Sequence, residues 1–523
     1  MTGLLERETR TTPISTPSRR TPLEVLDAAS RHRAFAPLVV GAIALLVSLI
    51  GITNPSVWYD EAATITATTR SWPQLWDMLQ TVDAVHALYY FGMHAVFDVV
   101  GYSPLALRAP SALAVGAAAA LIVLLCREFR RPTLGVIAGL VFAILPRTIW
   151  MGGEGRSFAL STALAVLVTL LLVRAVSRSS TDRSSRRAWI IYAVVVVFSC
   201  ILFVYVALVV VAHAITMAVW WLRRPPALRG SVLRDWVIAA GSATLVLTPF
   251  ILFVRGQAAQ VQWIPEISHD TIEHVLLKQF FLDSEPFAWV GWILLALGTV
   301  ALLRTAASRS LAAVLLPVLV VPSLILLGIT TFSDMDLYSP RYVALTVPFV
   351  AMVIGAAIDW LPRRRLAVVA IAALVAIAIP QLAELREVEA KQNTAWSTVA
   401  ETVGAERALD APGTTTAIIW GNLKRHPLAT ARVVSYAYPS AFEGTVDVTL
   451  ETPAAESWRL WEKRGKLAEN LDRLEGADVA YLITSITRDR RPATTEILAA
   501  EGYRLVSSET IADLNVLRFE RTP

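Results

Sequence analysis

The fold class this sequence predicts is an α-helical polytopic membrane protein with a C-terminal α/β domain, and three observations predict it. Long apolar runs fill residues 36–380, arginine clusters alternate with acidic loops between those runs, and a soluble composition returns over 381–523. In bulk, 55% of the residues are hydrophobic and 17% charged, against about 25% charged in an ordinary soluble domain. Mean hydropathy is +0.55. The net charge of +5 does not point to nucleic acid. Its arginines lie between apolar runs, where the positive-inside rule puts them.

Taken in order, residues 1–35 form a polar Ser-, Thr-, Pro- and Arg-rich tail, expected to be cytoplasmic and disordered apart from a short helix near 23–29. The run 36–53 starts too far from the first residue and lacks a small-residue cleavage site, so it reads as a signal anchor. A spanning helix needs about 20 apolar residues. Eleven runs are assigned as spans: 36–53, 108–126, 133–150, 157–174, 188–204, 206–222, 235–254, 288–304, 310–330, 342–361 and 366–380. The stretch 88–100 is assigned instead to an interfacial helix in the first external loop. With the N-terminus inside, the arginines at 127–131, 174–187, 223–234, 304–309 and 363–365 are then cytoplasmic. Asp60, Glu61, Asp83, Glu154, Glu266, Asp270, Glu273, Asp283, Glu285, Asp334 and Asp336 face outward. Counting 88–100 as a span would reverse every later loop and violate that asymmetry. Cys126 and Cys200 both sit in apolar runs, so no structural disulfide is expected.

An odd number of crossings places 381–523 outside. A helix is expected over 382–409. Strands are expected at 416–420, 432–436, 446–450, 479–484 and 515–519, and helices near 457–474 and 493–501. No internal repeat is visible, which counts against an inverted-repeat transporter.

The loop 54–107 carries the most chemistry. It opens with Trp58-Tyr59-Asp60-Glu61-Ala62, where the first span leaves the bilayer. Two adjacent carboxylates there suit a general base with a hydrogen-bonding partner, or a cation site. They equally suit a helix start, with Asp60 as N-cap and Glu61 on the positive end of the dipole. Asp83 and His86, three apart, share one helical face, which fits metal ligation, phosphate contact or plain solvation. Glu154 and Arg156 lie in a short loop between spans and also read as a surface pair. Arg341, in Tyr338-Ser339-Pro340-Arg341-Tyr342, either snorkels toward headgroups or clamps a phosphate. His213, inside a span that offers no carboxylate at its depth, reads as a packing histidine. Trp150, Trp189, Trp220, Trp221 and Trp360 sit at span ends as interface anchors.

The series WYDEA, DAVHALYY, ALRAPSAL, GEGRSFAL and SPRYVAL over residues 36–360 resembles the GT-C superfamily of polyprenyl-phosphate-sugar glycosyltransferases. The similarity is to the branch of protein O-mannosyltransferases and the lipid A aminoarabinose transferase. Family members commonly show HPPLYY and QEARMY. Here His86-Ala87-Leu88 replaces His-Pro-Pro, and Gly155 replaces the alanine of EAR. The resemblance implies a GT-C-like fold and an outward-facing active site between the first loop and the loop 255–287. Asp60, with Glu61 beside it, would be catalytic. It would take a proton from an acceptor hydroxyl that attacks the anomeric carbon of a lipid-phosphate sugar with inversion. Arg341, Arg156, Lys278 and His86 would hold the donor phosphate, and Asp83, Glu154, Tyr59 and Tyr342 would bind or orient the acceptor. No cofactor is demanded; a divalent cation, if used, would have Asp60, Asp83 and His86 as ligands. Expected partners are a polyprenyl-phosphate-sugar donor, a glycan, glycolipid or protein acceptor and membrane lipids, with no nucleic acid. Mannose is the favoured sugar and arabinofuranose the second. The Ala-, Val- and Arg-rich composition suggests a bacterial plasma membrane and envelope biogenesis. A transporter or flippase of lipid-linked sugars would instead carry charges at the bilayer midplane. An inactive relative acting in envelope assembly is the third reading.

Overall fold

The computed structural model describes residues 34–179, 182–223, 226–257, 264, 268, 270–333, 335–424 and 428–522. The expected tail therefore lies outside the described residues except for its last two positions, as do Glu266, Asp334 and the short helix near 23–29. The protein is a multi-pass membrane protein. Eight described helices are long and apolar enough to cross a bilayer, or nine if Pro132–Ile144 and Pro146–Gly152, bent by 67°, form one span. The remaining two expected runs fall on shorter apolar helices, Phe35–Leu49 and Ala344–Asp359, so each of the eleven runs lies on a helix.

The local causes are legible. Pro146 has no N–H to continue the preceding ladder, and it starts the second half of the bent pair at a first helical position, where proline fits. Phe35–Leu49 packs tightly on Pro104–Glu128 through Gly41 and Gly116. A Cβ on Gly41 would stand 2.8 Å from the Gly116 carbonyl oxygen, so only small residues permit that approach. Cys126 and Cys200 are free and buried. His213 is wholly buried. Its ring lies 3.1 Å from Thr169 Oγ1 and 3.1 Å from the Tyr192 hydroxyl, which satisfies it as a packing residue.

Between Phe35–Leu49 and Pro104–Glu128, the loop folds into the helices Tyr59–Thr68, Trp72–Leu79 and Ala87–Val100. The Ser71–Gln74 capping box starts the second. Asp83, with φ of 58°, turns the chain into the third. A helix is thus present where one was expected at 88–100, with a short lead-in over Ala84–His86.

The C-terminal region forms a five-stranded sheet in the order β2-β1-β5-β7-β6. Its strands are β1 Thr416–Trp420, β2 Val446–Asp447, β5 Val479–Ser485, β6 Tyr503–Ile511 and β7 Leu514–Arg521. β3 Leu450–Thr452 and β4 Lys463–Arg464 pair separately. β1 runs parallel to β2 and β5, and β5, β7 and β6 are successively antiparallel. Three expectations are corrected here, and one strand is added. Residues Val433–Ala437 form a short helix, not a strand, and Arg432 at its start is held in a buried ion cluster with Asp447 and Glu462. The stretch 457–474 is short turns and β4 rather than a helix. The helix after the last span stops at Glu384 and resumes as Trp396–Leu409, with Gln392 and Asn393 in left-handed backbone conformations between them. β6 was not anticipated. Its buried residues are confined to its ends, so it carries no alternating apolar pattern.

The sheet region and the first loop share a core. Val57, Ile65, Leu75 and Tyr90 pack with Trp396, Val399, Trp420 and Trp461 in one buried cluster. Arg70, 2% exposed, ties the two together by donating to the carbonyls of Thr66, Ala454 and Arg459 at 2.5, 2.5 and 2.7 Å.

Candidate functional site

The site is built on the first turn of Tyr59–Thr68. Trp58 occupies the N-cap position in extended conformation and makes no side-chain cap, so Asp60 is not the N-cap and both carboxylates lie within the first turn. Successive residues on a helix are turned about 100° apart, and the two acids part accordingly.

Asp60 faces the loop before the Ala344–Asp359 helix. Its Oδ2 lies 2.5 Å from Arg341 Nη1, with both side chains 16% exposed. The Arg341 guanidinium stands 5.9 Å from the Trp58 ring centre and 5.7 Å from that of Tyr342. Tyr342 stacks on Tyr205 at 4.9 Å and meets Phe203 at 6.1 Å, giving this side of the site an aromatic floor.

Arg156 supplies a second cation. It donates to the Asp60 carbonyl at 3.4 Å, to the Tyr90 hydroxyl at 3.0 Å and to His86 Nε2 at 2.9 Å. The Tyr90 hydroxyl in turn donates to Asp83 Oδ2 at 2.8 Å. Burial, then Arg156 and Arg341, push His86 well below the ordinary histidine range. Its Nε2 faces Arg156, a setting that favours the neutral ring. Burial raises the Asp83 carboxyl, although Arg156 opposes the shift.

Glu61 turns inward and is fully buried. Arg108 grips it bidentately, Nε–Oε1 at 2.8 Å and Nη2–Oε2 at 2.7 Å. Lys391 Nζ reaches Oε1 at 2.7 Å, and the Gly155 N–H donates to it at 2.9 Å. Burial alone would raise this carboxyl, but Arg108 and Lys391 pull it down to about 2. Lys391 also reaches Glu154 Oε1 at 3.0 Å, and Trp58 Nε1 donates to Glu154 Oε2 at 3.0 Å. Glu154 is fully buried, and burial pushes it up to about 7 against the pull of Lys391. Burial and Arg108 likewise lower Lys391. Two acids and two cations thus form a closed network behind Asp60. Glu61 is sealed inside this network with no exposed surface. Glu154 does not pair with Arg156 at a surface.

Other expected residues lie further out. Tyr59 is held by the sheet region: its hydroxyl accepts from Trp461 Nε1 at 3.1 Å, and burial pushes it up to about 12. Lys278 pairs with Glu273 at 3.1 Å, in a short helical segment over Asp270–Phe281. Phe280 and Phe281, which follow it, are buried in the hydrophobic core of the helical body. Gln257 bridges to the first loop, accepting from the Ala84 N–H at 3.0 Å and donating to the Leu79 carbonyl at 3.1 Å. Gln260, Gln262 and Trp263 lie outside the described residues. Among the described residues no group of three His, Cys, Asp or Glu side chains is placed to hold a metal ion. Asp60, Asp83 and His86 each face a different partner, so they do not form the cation site considered above.

Sequence reading missed Arg108, Lys391, Tyr90 and Arg147. Arg108 stands inside the ALRAPSAL motif, and an arginine inside an apolar run was itself the signal, because such a charge needs a buried partner. Tyr90 was in DAVHALYY. Arg147, 4% exposed, lies 5.0 Å over Trp150 and donates to the Gln279 carbonyl at 3.1 Å and to that of Lys278. Lys391 had no local signal.

This combination defines a GT-C-like fold: a helical membrane body, a helical first loop at its face and a C-terminal sheet region docked on that loop. Among solved structures, the chain is similar to ArnT from Cupriavidus metallidurans in the apo state, with TM-score 0.55 and 11% identity over 92% of this chain and 97% of that one. It is also similar to the same protein bound to undecaprenyl phosphate, with TM-score 0.52 and 12% identity over the same shares of the two chains. Arabinofuranosyltransferase AftD from Mycobacteria aligns at TM-score 0.48 and 16% identity, over 93% of this chain and 41% of that one. No protein-family model and no curated protein matches the sequence.

Proposed function

We propose that this protein is a membrane glycosyltransferase that moves a sugar from a polyprenyl-phosphate donor to an acceptor hydroxyl on the outer side of the bilayer. The observation that carries the reading is the Asp60–Arg341 pair, a carboxylate and a guanidinium 281 positions apart in the chain, meeting at 2.5 Å where both remain partly open. The fold shared with ArnT supports it. In the resting state Arg341 occupies one oxygen of Asp60. A donor phosphate competes for that guanidinium by a charge-assisted contact and releases the carboxylate. The acceptor oxygen then attacks the anomeric carbon as its proton passes to Asp60. The bond from that carbon to the phosphate oxygen breaks on the opposite face, with inversion. Arg341 and Arg156 balance the charge that gathers on the leaving polyprenyl phosphate. Tyr90 and neutral His86 hold Arg156 in place, and the buried Glu61–Arg108–Lys391–Glu154 network fixes the turn that carries Asp60. Mannose is the favoured sugar, with arabinofuranose second, on the resemblance of motifs.

The decisive experiment incubates the purified protein with a panel of polyprenyl-phosphate sugars and follows consumption of each. One sugar should be consumed, and the Asp60→Asn protein should leave it untouched. Consumption of none by the wild type, or equal consumption by both proteins, removes the reading. The outward site also requires residues 381–523 to lie outside a bacterial plasma membrane. A cysteine placed at the exposed Ser440 should react with an impermeant thiol reagent in intact cells; reaction only after lysis overturns the sidedness.

A further inference from the structure

The strands β1 and β5 lie side by side and parallel, so the chain leaves both at the same sheet edge. Open α/β sheets receive ligands at that edge, where the loops diverge. Here the loops are joined. The Ser485 N–H donates to the Asn422 carbonyl at 2.8 Å, and the Thr487 N–H donates to Ser485 Oγ at 3.2 Å. From β4, Arg464 donates to Asn422 Oδ1 at 2.5 Å. The β6–β7 turn closes the end, its Asp513 carbonyl accepting from the Ile486 N–H at 3.1 Å.

Three exposed arginines, Arg464, Arg488 and Arg490, converge on this edge. Partial burial first, then Arg490, Arg432 and Arg488, lower the Arg464 pKa against the opposing pull of Glu462, as expected where like charges crowd. Among the described residues none of the three has an ion-pair partner. The acids nearby are spent: Asp489 pairs with Arg491 at 2.9 Å and Glu462 with Arg432 at 2.7 Å. The exception is Asp513, buried with its Oδ1 unpartnered, whose carboxyl burial pushes up to about 6, so anion binding at this edge should strengthen as pH falls below that value. One residue back from the edge, Thr484 and Asn515 face each other across β5 and β7. Both are buried, at 0% and 1% exposure, yet Thr484 Oγ1 and Asn515 Nδ2 find no hydrogen-bond partner. Thr484 packs against Gly421, so this pair forms a sealed polar base beneath the edge.

The edge is also close to the site. Trp461, which donates to the Tyr59 hydroxyl, precedes Arg464 by three residues, a reach of at most about 10 Å. Tyr59 adjoins Asp60. We propose that this basic crevice binds an anionic segment of the acceptor, a glycan bearing phosphate or carboxylate groups, so that a hydroxyl further along the same glycan reaches Asp60. The acceptor role rests on the glycosyltransferase reading; the binding itself does not.

The test uses the full chain in detergent micelles with three probes: dextran phosphate, polygalacturonate and uncharged dextran. The proposal expects at least one anionic polymer to bind ~10-fold or more tightly than dextran, with affinity falling as salt rises. Preference for phosphate over carboxylate identifies which group the crevice takes. Arg488→Ser with Arg490→Ser, both exposed and safe for folding, should abolish most of that preference, and Arg464→Ala should do the same. Equal binding of dextran overturns the proposal, as does undiminished binding of both anionic polymers by the double variant. Phosphatidylglycerol vesicles displacing both polymers through the same arginines would overturn it in favour of a lipid surface. Donor consumption separates the two readings. If no donor sugar is consumed while arginine-dependent polymer binding persists, the transferase reading fails and the crevice stands. If donor is consumed but the arginines do not matter, the reverse holds.

Discussion

Asp60 and Glu61 are neighbours in sequence and opposites in setting. Asp60 meets one arginine at a partly open surface, whereas Glu61 has no exposure and three donors, from Arg108, Lys391 and the Gly155 backbone. A surface-facing pair can be exchanged for a substrate at little cost, because water and ligand compensate the charges. A buried pair cannot, because removing one partner leaves the other uncompensated in a low dielectric. One residue step on a helix is enough to divide chemistry from architecture.

The sharpest way to break this comparison is substitution of each acid in turn. Asp60→Asn keeps size and hydrogen bonding but removes basicity, so turnover should fall about 10²–10⁴-fold while donor binding and thermal stability persist. Glu61→Gln should do the opposite. It should cost about 3–5 kcal/mol of stability by stranding Arg108 and Lys391, visible as a lowered denaturation midpoint. Near-normal turnover for Asp60→Asn alongside loss of turnover without loss of stability for Glu61→Gln would exchange the two roles.

A smaller effect is expected at the arginine. Arg341→Ala should weaken both donor binding and turnover, because its contact to phosphate exists in ground and transition states. Arg341→Lys should restore only part, since the planar fork is lost. A variant that bound donor normally would show that Arg156 alone holds the phosphate.

The smallest effect is pH-dependent and concerns the buried network. Glu154 is raised from an ordinary 4.5 to about 7. Its contribution to stability is therefore fully present below 4.5 and is lost as pH rises toward 7. Glu61, held down to about 2, contributes above 4.5 and loses its contribution as pH falls toward 2. Glu154→Gln should flatten the decline in denaturation midpoint between about pH 5 and 7 and leave the acid limb alone. A decline of unchanged slope in that variant would assign the titration elsewhere.

Legibility differed between the two halves of the molecule. The membrane helices were readable because a bilayer demands long apolar runs and sorts arginines by side, constraints written locally along the chain. Within the sheet region β1, β5, β7 and the helix Arg491–Ala500 were readable, as were β2 and the helix Trp396–Leu409 inside longer expected elements. The segment 432–436 looked like a strand by composition, but Arg432 is pulled into contact with Asp447 and Glu462 at 2.5 and 2.7 Å, and long-range pairing overrode local preference. The edge strand β6, polar along most of its length, offers no period to read.

By itself, the sequence determined that the chain is a membrane protein with a soluble C-terminal region, and it marked Asp60, Arg156 and Arg341 as the groups worth watching. Only the tertiary structure decided that Asp60 stays partly exposed while Glu61 is buried, that His86 lies against Arg156, and that Lys391 reaches back some 330 positions to Glu61. The physical reason is range. Apolar length and charge asymmetry act over one helix, whereas desolvation and ion pairing depend on which distant side chains arrive beside a carboxylate, and that is settled only when the sheet region docks on the first loop.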